Sequence, residues 1–548
     1  MQLRAAKIAA LKATEFDVLV VGAGINGAVS AAALSAKGVK VGLIDKRDFA
    51  GFTSQQSSNL AWGGIKYLES FEFGLVRKLC KSRNALIRSY PSTVKEIRFL
   101  ASLGQGFRYP GWVMYLVTLL YWVMGDCFTR SPRLLGRSRI AREEPIIDVE
   151  RCIGGFEYSD AYLYDNDARF VFNFVRSALT SGAAAANYVE SLGATKIQGL
   201  WHVRARDVLS GDSFSIKTKV LINACGPFVD HHNSLVGQVS KHRHVFSKGI
   251  HLIVDRLTPS NRVLAFFADD GRLFFVIPMG TKTCIGTTDT RTDSPFASVT
   301  AADRRFVLDN INARLKLKQP LTTKDIISER CGVRPLVVEG AGSDDWLSLS
   351  RRHLVEADLS RRYLSIYGGK LTDCLNVGNE VVDRVEACGV KVPLKVEKWF
   401  GEPPAEVRAA FFAEASQMGL DGMTPASSSE KLSIRFWRRY GRDAFELLAK
   451  IRKEPAQALP VMAGAEYLRC ELEQAARYEM VSKLEDFLRR RSKIELVLRR
   501  AELRASGGLK EICSLLFGDM AEQKLEEYFE QNTADDGGFP GDASATKG

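Results

Sequence analysis

The stretch Phe16–Asp45, FDVLVVGAGINGAVSAAALSAKGVKVGLID, decides the fold. Val18 to Val21, with Phe16 close by, form a continuous apolar run that predicts a strand buried on both faces. The run enters Gly22, Gly24 and Gly27, and the small residues from Ala28 to Ala36 predict the helix that follows. Each glycine has its own task. Gly22 permits the tight turn, Gly24 lets the backbone approach a pyrophosphate, and Gly27 allows the helix to pack closely on the strand. The helix N-terminus then offers unpaired N–H groups and a positive dipole end to phosphate. A second strand, Val39 to Ile44, ends on Asp45, 18 residues past Gly27. That is close to the separation of about 20 expected of a ribose-binding acid. Strand, glycines, helix, strand and acid together predict a dinucleotide site.

With 548 residues the chain exceeds one core, and 46% hydrophobic with 26% charged residues is ordinary globular composition. A net charge of +12 favours anionic partners such as phosphorylated substrates or acidic lipid. Charge alone carries no nucleic-acid motif, and nucleic acid is set aside. The ten cysteines include no CxxC pair, which argues against zinc, iron–sulfur or a disulfide framework. The basic N-terminus lacks a long apolar core and a cleavage site, so no secretory signal is read, and Lys7 to Lys12 suit a short amphipathic helix.

Residues 48–69, rich in Gly, Ser, Thr and Gln, follow the acid. Thr53, Ser54, Ser57 and Ser58 either cap turns or donate hydrogen bonds to phosphate oxygens. Phe71 to Leu103 shows helical apolar spacing. Gly111 to Gly125 is a charge-free run of fifteen residues, too short to span a membrane, which takes about 20. Its aromatic residues and the flanking Arg108, Arg130, Arg133, Arg137 and Arg139 favour an interfacial helix, with core packing as the rival. An α/β pattern returns over 156–230. Antiparallel strands are expected around 251–254, 264–267, 273–277 and 283–286. A strand, glycine turn and helix start follow over Tyr363–Asn376. Beyond about residue 400 helices predominate, at 405–417, 430–453, 464–479, 481–505 and 508–531. Arg489, Arg490 and Arg491 read as a solvated basic face, and 532–548 as a disordered tail.

The expected architecture is therefore α/β. A Rossmann-like dinucleotide domain is split over about 16–80, 156–230 and 362–390. An antiparallel-sheet substrate domain covers about 81–155 and 231–361, completing a region 1–400. An α-helical C-terminal domain spans 401–531.

The series VVGAGINGA, TSQQSSNLAWGGIKYLE, DNDAR, NACGP, KGIHLIV, FFVIP, IGTTDT, GVRPL, GGKLTD and DFLRRR resembles the FAD-dependent glycerol-3-phosphate dehydrogenases, flavoenzymes of the D-amino-acid-oxidase-like group. The resemblance implies FAD and oxidation of sn-glycerol 3-phosphate to dihydroxyacetone phosphate. It also implies electron transfer to a membrane quinone and peripheral attachment to the cytoplasmic face of the inner membrane, where anionic lipid is a partner; a homodimer is compatible with it. It assigns FAD contacts to Gly22, Gly24, Gly27, Asp45, Thr53, Ser54, Ser57, Ser58, Gly63, Val189 (through its backbone), Gly226 and Leu371. His251 matches a family histidine and is the candidate base. Arg334 is the candidate clamp for the substrate oxygen or phosphate, and Lys370 the cation at the flavin. Lys66, Tyr67 and Arg351 border the substrate, and Asp289 either orients the cations or closes a turn. Two departures stand out. Trp62 occupies the place of a usual histidine, and Lys66 that of a usual arginine, a better bidentate phosphate clamp. They open two alternatives: a related flavoenzyme acting on another 2-hydroxy acid or amine, and a non-catalytic FAD-binding protein.

Overall fold

The computed structural model describes residues 2–150, 152–268, 272–340, 352–426 and 428–531. Arg351 and the segment 532–548 lie outside the described residues. Two sheets organise the chain. The first has the strand order Leu354–Asp358, Tyr363–Tyr367, Ser213–Asn223, Glu15–Val21, Val41–Ile44, Ala184–Ala186. Its central members run parallel: Glu15–Val21 pairs with both Ser213–Asn223 and Val41–Ile44. The strand Ser213–Asn223 does double duty. Its first half pairs antiparallel with Leu200–Asp207, and its end pairs parallel with Tyr363–Tyr367. Helices Ile25–Ala36, Asp167–Thr180 and Cys374–Ala387 share one core with these strands.

The second sheet is built on the long strands His242–Asp255 and Ser328–Glu339, paired antiparallel over twelve positions. It continues through Lys282–Gly286, Leu273–Met279, Val263–Phe267, Val94–Gly104 and Cys152–Leu163. Two sequence expectations change here. Phe71 to Leu103 is not one helix: a helix, Phe73–Ser89, gives way to the strand Val94–Gly104. Residues 156–163, expected with the dinucleotide sheet, instead lie in the second one, where Phe99 faces Tyr158. The cause is a buried ion pair. Asp160 accepts from Arg83 Nη1 at 3.0 Å and from the Tyr121 hydroxyl at 2.8 Å, which fixes this strand under helices Phe73–Ser89 and Gly111–Met124.

The helix Gly111–Met124 buries only Thr118, Tyr121 and Met124. Its apolar stripe Trp112, Leu116, Leu120 and Val123 is exposed, as are Phe71, Phe73 and Leu134. Core packing does not account for that stripe. Among the described residues no helix is long and apolar enough to cross a membrane.

C-terminal helices include Ala405–Gln417, Leu432–Tyr440, Ala444–Lys453, Arg469–Tyr478, Gly507–Phe517 and Ala521–Gln531. The expected helix 481–505 is instead a wide turn, Asp486–Arg491, followed by short helices. Nor are Arg489, Arg490 and Arg491 a solvated face: all three are buried. Asp48, buried beside the N-terminal glycine loop, explains why. Its carboxylate accepts from Arg490 Nε at 2.7 Å, from Arg491 Nη1 at 2.8 Å and Nη2 at 2.9 Å, and from Asn187 Nδ2 at 2.7 Å. Burial would raise this carboxyl, yet the two guanidiniums hold it below the usual carboxylate range. Arg489 donates to the Gln55 carbonyl. The turn thus clasps the segment that carries Thr53 to Ser58.

Candidate active site

Parallel strands open their ligand crevice at their C-terminal ends. Here the ends of Glu15–Val21, Val41–Ile44 and Ser213–Asn223 lead into three loops: Gly22–Gly24, Asp45–Arg47 and Ala224–Phe228. Gly22 has φ +98°, and a Cβ on it would lie 2.5 Å from the Ala224 carbonyl oxygen. A Cβ on Gly27 would lie 1.8 Å from the Gly22 oxygen, so helix and loop approach only because that atom is missing. Gly226, at φ +56°, has open space where its side chain would stand. The Ser54 hydroxyl accepts from the Ile25 amide at 3.0 Å, at the first turn of the helix. Asp45 accepts from the Ala23 amide at 2.6 Å and the Arg47 amide at 2.8 Å. A carboxylate has about four acceptor positions, so two amides leave room for ribose hydroxyls. Burial pushes the Asp45 carboxyl up to about 6 against the pull of those amides. The cradle fits a dinucleotide.

On the second sheet, alternation places Ser247, Gly249 and His251 on one face, opposite Arg334, Gly332 and Arg330 respectively. The Arg334 guanidinium lies directly over Gly249, where a Cβ would meet Nη2 at 2.1 Å. It donates to Thr287 Oγ1 at 3.1 Å, the Thr288 carbonyl at 3.3 Å and Asp289 Oδ1 at 3.2 Å, and stays 25% exposed. Asp289 Oδ1 also accepts from the Ser247 hydroxyl, so one carboxylate oxygen serves both the serine and the arginine. His251 is buried, and its Nδ1 has no hydrogen-bond partner among the described residues. Burial, with Arg330 and Arg334 adding to it, pushes the imidazole down to about 3, so it is neutral at pH 7. Arg330 was not singled out from sequence. It donates to the Ser57 carbonyl and, at 2.7 Å, to Asn59 Oδ1, tying the strand Ser328–Glu339 to the loop that carries Thr53 to Ser58. Its signal was available, since Arg330 and Arg334 sit four apart on one strand and share a face.

The turn Gly368–Lys370 follows the strand Tyr363–Tyr367 and packs beside Pro335, next to Arg334. Lys370 Nζ stands 4.1 Å from the centroid of the Tyr67 ring and 5.6 Å from that of Trp62. Thr372 donates to the Trp62 carbonyl at 3.2 Å, fixing the two segments. Leu371 is half-buried against the dinucleotide core, while Lys66 is exposed. Some assigned contacts already have protein partners. Thr53 Oγ1 donates to the Val333 carbonyl at 2.9 Å, and Ser57 Oγ to Asp167 Oδ2 at 2.8 Å. The Gly63 amide donates to Asp160 Oδ1 at 3.0 Å, and the Val189 amide to the Asp45 carbonyl at 2.7 Å. The amides of Gly63 and Val189 are therefore engaged within the fold, and Ser57 serves to anchor its loop. Ser58 is half-buried in the same loop.

Residues 17–368 match the family of FAD dependent oxidoreductases, and residues 409–518 match the C-terminal domain of alpha-glycerophosphate oxidase. The chain belongs to the FAD-dependent oxidoreductase family, whose cofactor is a dinucleotide of the kind the cradle described above fits. The glycerol-3-phosphate dehydrogenase of Pseudomonas aeruginosa is 31% identical over 502 residues, covering 88% of this chain and 92% of that one. That of Synechocystis sp. is 29% identical and covers 95% of this chain and 98% of its own length. The X-ray structure of the glycerol-3-phosphate dehydrogenase from Bacillus halodurans, complexed with FAD, has the same fold, with a TM-score of 0.72 over 96% of both chains at 24% identity.

Proposed function

We propose that this chain oxidises sn-glycerol 3-phosphate at C2 to dihydroxyacetone phosphate and passes the electrons to a membrane quinone. The observation that carries this reading is one face of the second sheet, where a partly exposed arginine stands near a buried neutral histidine, with the Lys370 turn beside the arginine. Bound FAD supplies the hydride acceptor. Arg334 anchors the substrate through its phosphate or its reacting oxygen, where positive charge stabilises a developing alkoxide. Lys370, held against Tyr67 and Trp62, adds a second cation at the turn nearest Arg334. His251 takes the hydroxyl proton on its unpartnered ring nitrogen, for which neutrality is the first requirement. The same two guanidiniums depress its basicity, so an arriving phosphate dianion offsets them and raises it when substrate is bound.

The exposed stripe of Gly111–Met124, with Arg108 and Arg130 at its ends, supports docking on an anionic membrane surface at the cytoplasmic face of the inner membrane. Quinone is then reached from the lipid. Trp62 and Lys66 favour a second reading, in which a 2-hydroxy acid or amine replaces the phosphorylated alcohol. Anaerobic titration of the purified protein separates the two. Bleaching of flavin absorbance by sn-glycerol 3-phosphate is expected, and bleaching only by a carboxylate or amine would refute the first reading.

A further inference from the structure

The crevice loops carry an aromatic cluster. Phe52 follows the Asp48 turn, and Phe228 closes the short Gly226–Phe228 helix. Their ring centroids lie 4.9 Å apart at 62°. Phe296 reaches them from the other sheet, on the loop between Thr290–Thr292 and the helix Ala301–Asn312. It stands 5.8 Å from Phe52, edge-on at 88°, and 5.4 Å from Phe228. Two cations sit on these rings. Lys46 Nζ is 4.2 Å from the Phe228 centroid, and the Arg47 guanidinium is 5.0 Å from that of Phe52 and 5.9 Å from that of Phe296.

A lone exposed phenylalanine needs no explanation. Phe296, however, is 56% exposed while contacting two rings that belong to the other sheet's ligand loops. Those loops are the ones that leave Asp45 and Gly226, so the cluster stands on the ribose side of the crevice. Its chemistry matches an adenosine diphosphate: π faces for a purine and two cations for phosphate oxygens.

We propose that Phe296 is the movable half of a clasp that closes over the adenosine diphosphate end of bound FAD and sets how long the cofactor stays. Phe52 and Phe228, on the loops themselves, are its fixed half. Lys46 and Arg47 back the rings when the clasp is closed and meet the phosphates from the same positions. The contact is confined to the adenylate half, so FMN, which lacks it, gains nothing from Phe296.

Because Phe296 is largely exposed, its substitution spares the core. Holoenzyme carrying Phe296→Ser, Phe296→Tyr or no substitution is diluted, and released flavin is followed by fluorescence. Flavin-stripped full chain is then titrated with FAD and with FMN. Phe296→Ser should release FAD about tenfold faster, the fold-change that one ordinary aromatic contact supplies. Phe296→Tyr should restore retention, and FMN affinity should be the same in all three proteins. Equal release rates, or an equal loss of affinity for FMN and FAD, would overturn the clasp.

Discussion

Replacing Arg491 by methionine should destabilise the flavin-binding region from more than four hundred residues away. Asp48 is 1% exposed and its carboxylate accepts two of its four side-chain hydrogen bonds from Arg491. With Arg491 gone, Asp48 and Asp486 share Arg490, which reaches each at 2.7 Å. Breaking a buried ion pair by removing one partner costs about 3–5 kcal/mol, because the remaining charge stays buried without full compensation. Against a folded-state stability of about 5–15 kcal/mol this is a large fraction. Arg491→Lys keeps the charge and loses one arm of the fork, which should cost about 1.5–3 kcal/mol. Asp48→Asn combined with Arg491→Met removes both charges and should recover part of the loss. Urea unfolding of the holoenzyme, followed in parallel by far-ultraviolet dichroism and flavin fluorescence, tests the series. Flavin release should move to lower urea first, since Asp48 anchors the segment leading to Ser54. An unchanged midpoint in Arg491→Met, or a double variant less stable than both singles, would refute the reasoning.

Arg334→Ala should keep its FAD yet lose substrate-driven reduction by roughly 10²–10³-fold, as removal of an oxyanion donor does; normal reduction in anaerobic stopped flow would take Arg334 out of the mechanism. Asp45 is raised to about 6, so its carboxylate, the better ribose acceptor, predominates only above that pH. FAD affinity should therefore climb as pH rises through 6 and level off, and Asp45→Asn should abolish the climb in fluorescence titrations. His251 is held down to about 3 from an unfolded value of about 6.5. Its neutral state thus contributes stability above pH 6.5 that is lost as pH falls toward 3, and acid unfolding of His251→Gln should lack this component. Serine at Trp112, Leu116 and Leu120 together should abolish sedimentation with anionic vesicles while leaving the unfolding midpoint in place; loss of folding instead would mean that the stripe is packed.

What could be read in advance was whatever the chain spells locally. The dinucleotide cradle was legible because Gly22, Gly24, Gly27 and Asp45 act at fixed short spacings on one strand–helix–strand unit. His251 and Arg334 were legible as motif residues, although only the pairing of their strands sets them on one face. The strand Val94–Gly104 misled because Val94, Ile97, Leu100 and Leu103 recur every three residues, a helical spacing. Its true partner, Cys152–Leu163, lies some fifty residues on and imposes the sheet. Three consecutive arginines read as solvated because the acids beside them in sequence, Glu485 and Asp486, pair with Arg490 alone; the partners of the other two, Asp48 for Arg491 and the Gln55 carbonyl for Arg489, lie at the other end of the chain. The engaged amides of Gly63 and Val189 are likewise set by partners that no local pattern reveals.

The bond between Asp48 and Arg491 also imposes a schedule on biosynthesis. The two residues are 443 positions apart. At about 5–20 residues per second, a nascent chain exposes the Asp48 carboxylate for roughly 20–90 s before its counter-ion leaves the ribosome. The cofactor-binding region, although first to emerge, is among the last to be completed. Cofactor loading is thereby tied to synthesis of the whole chain, and a truncated product reveals itself by failing to hold flavin.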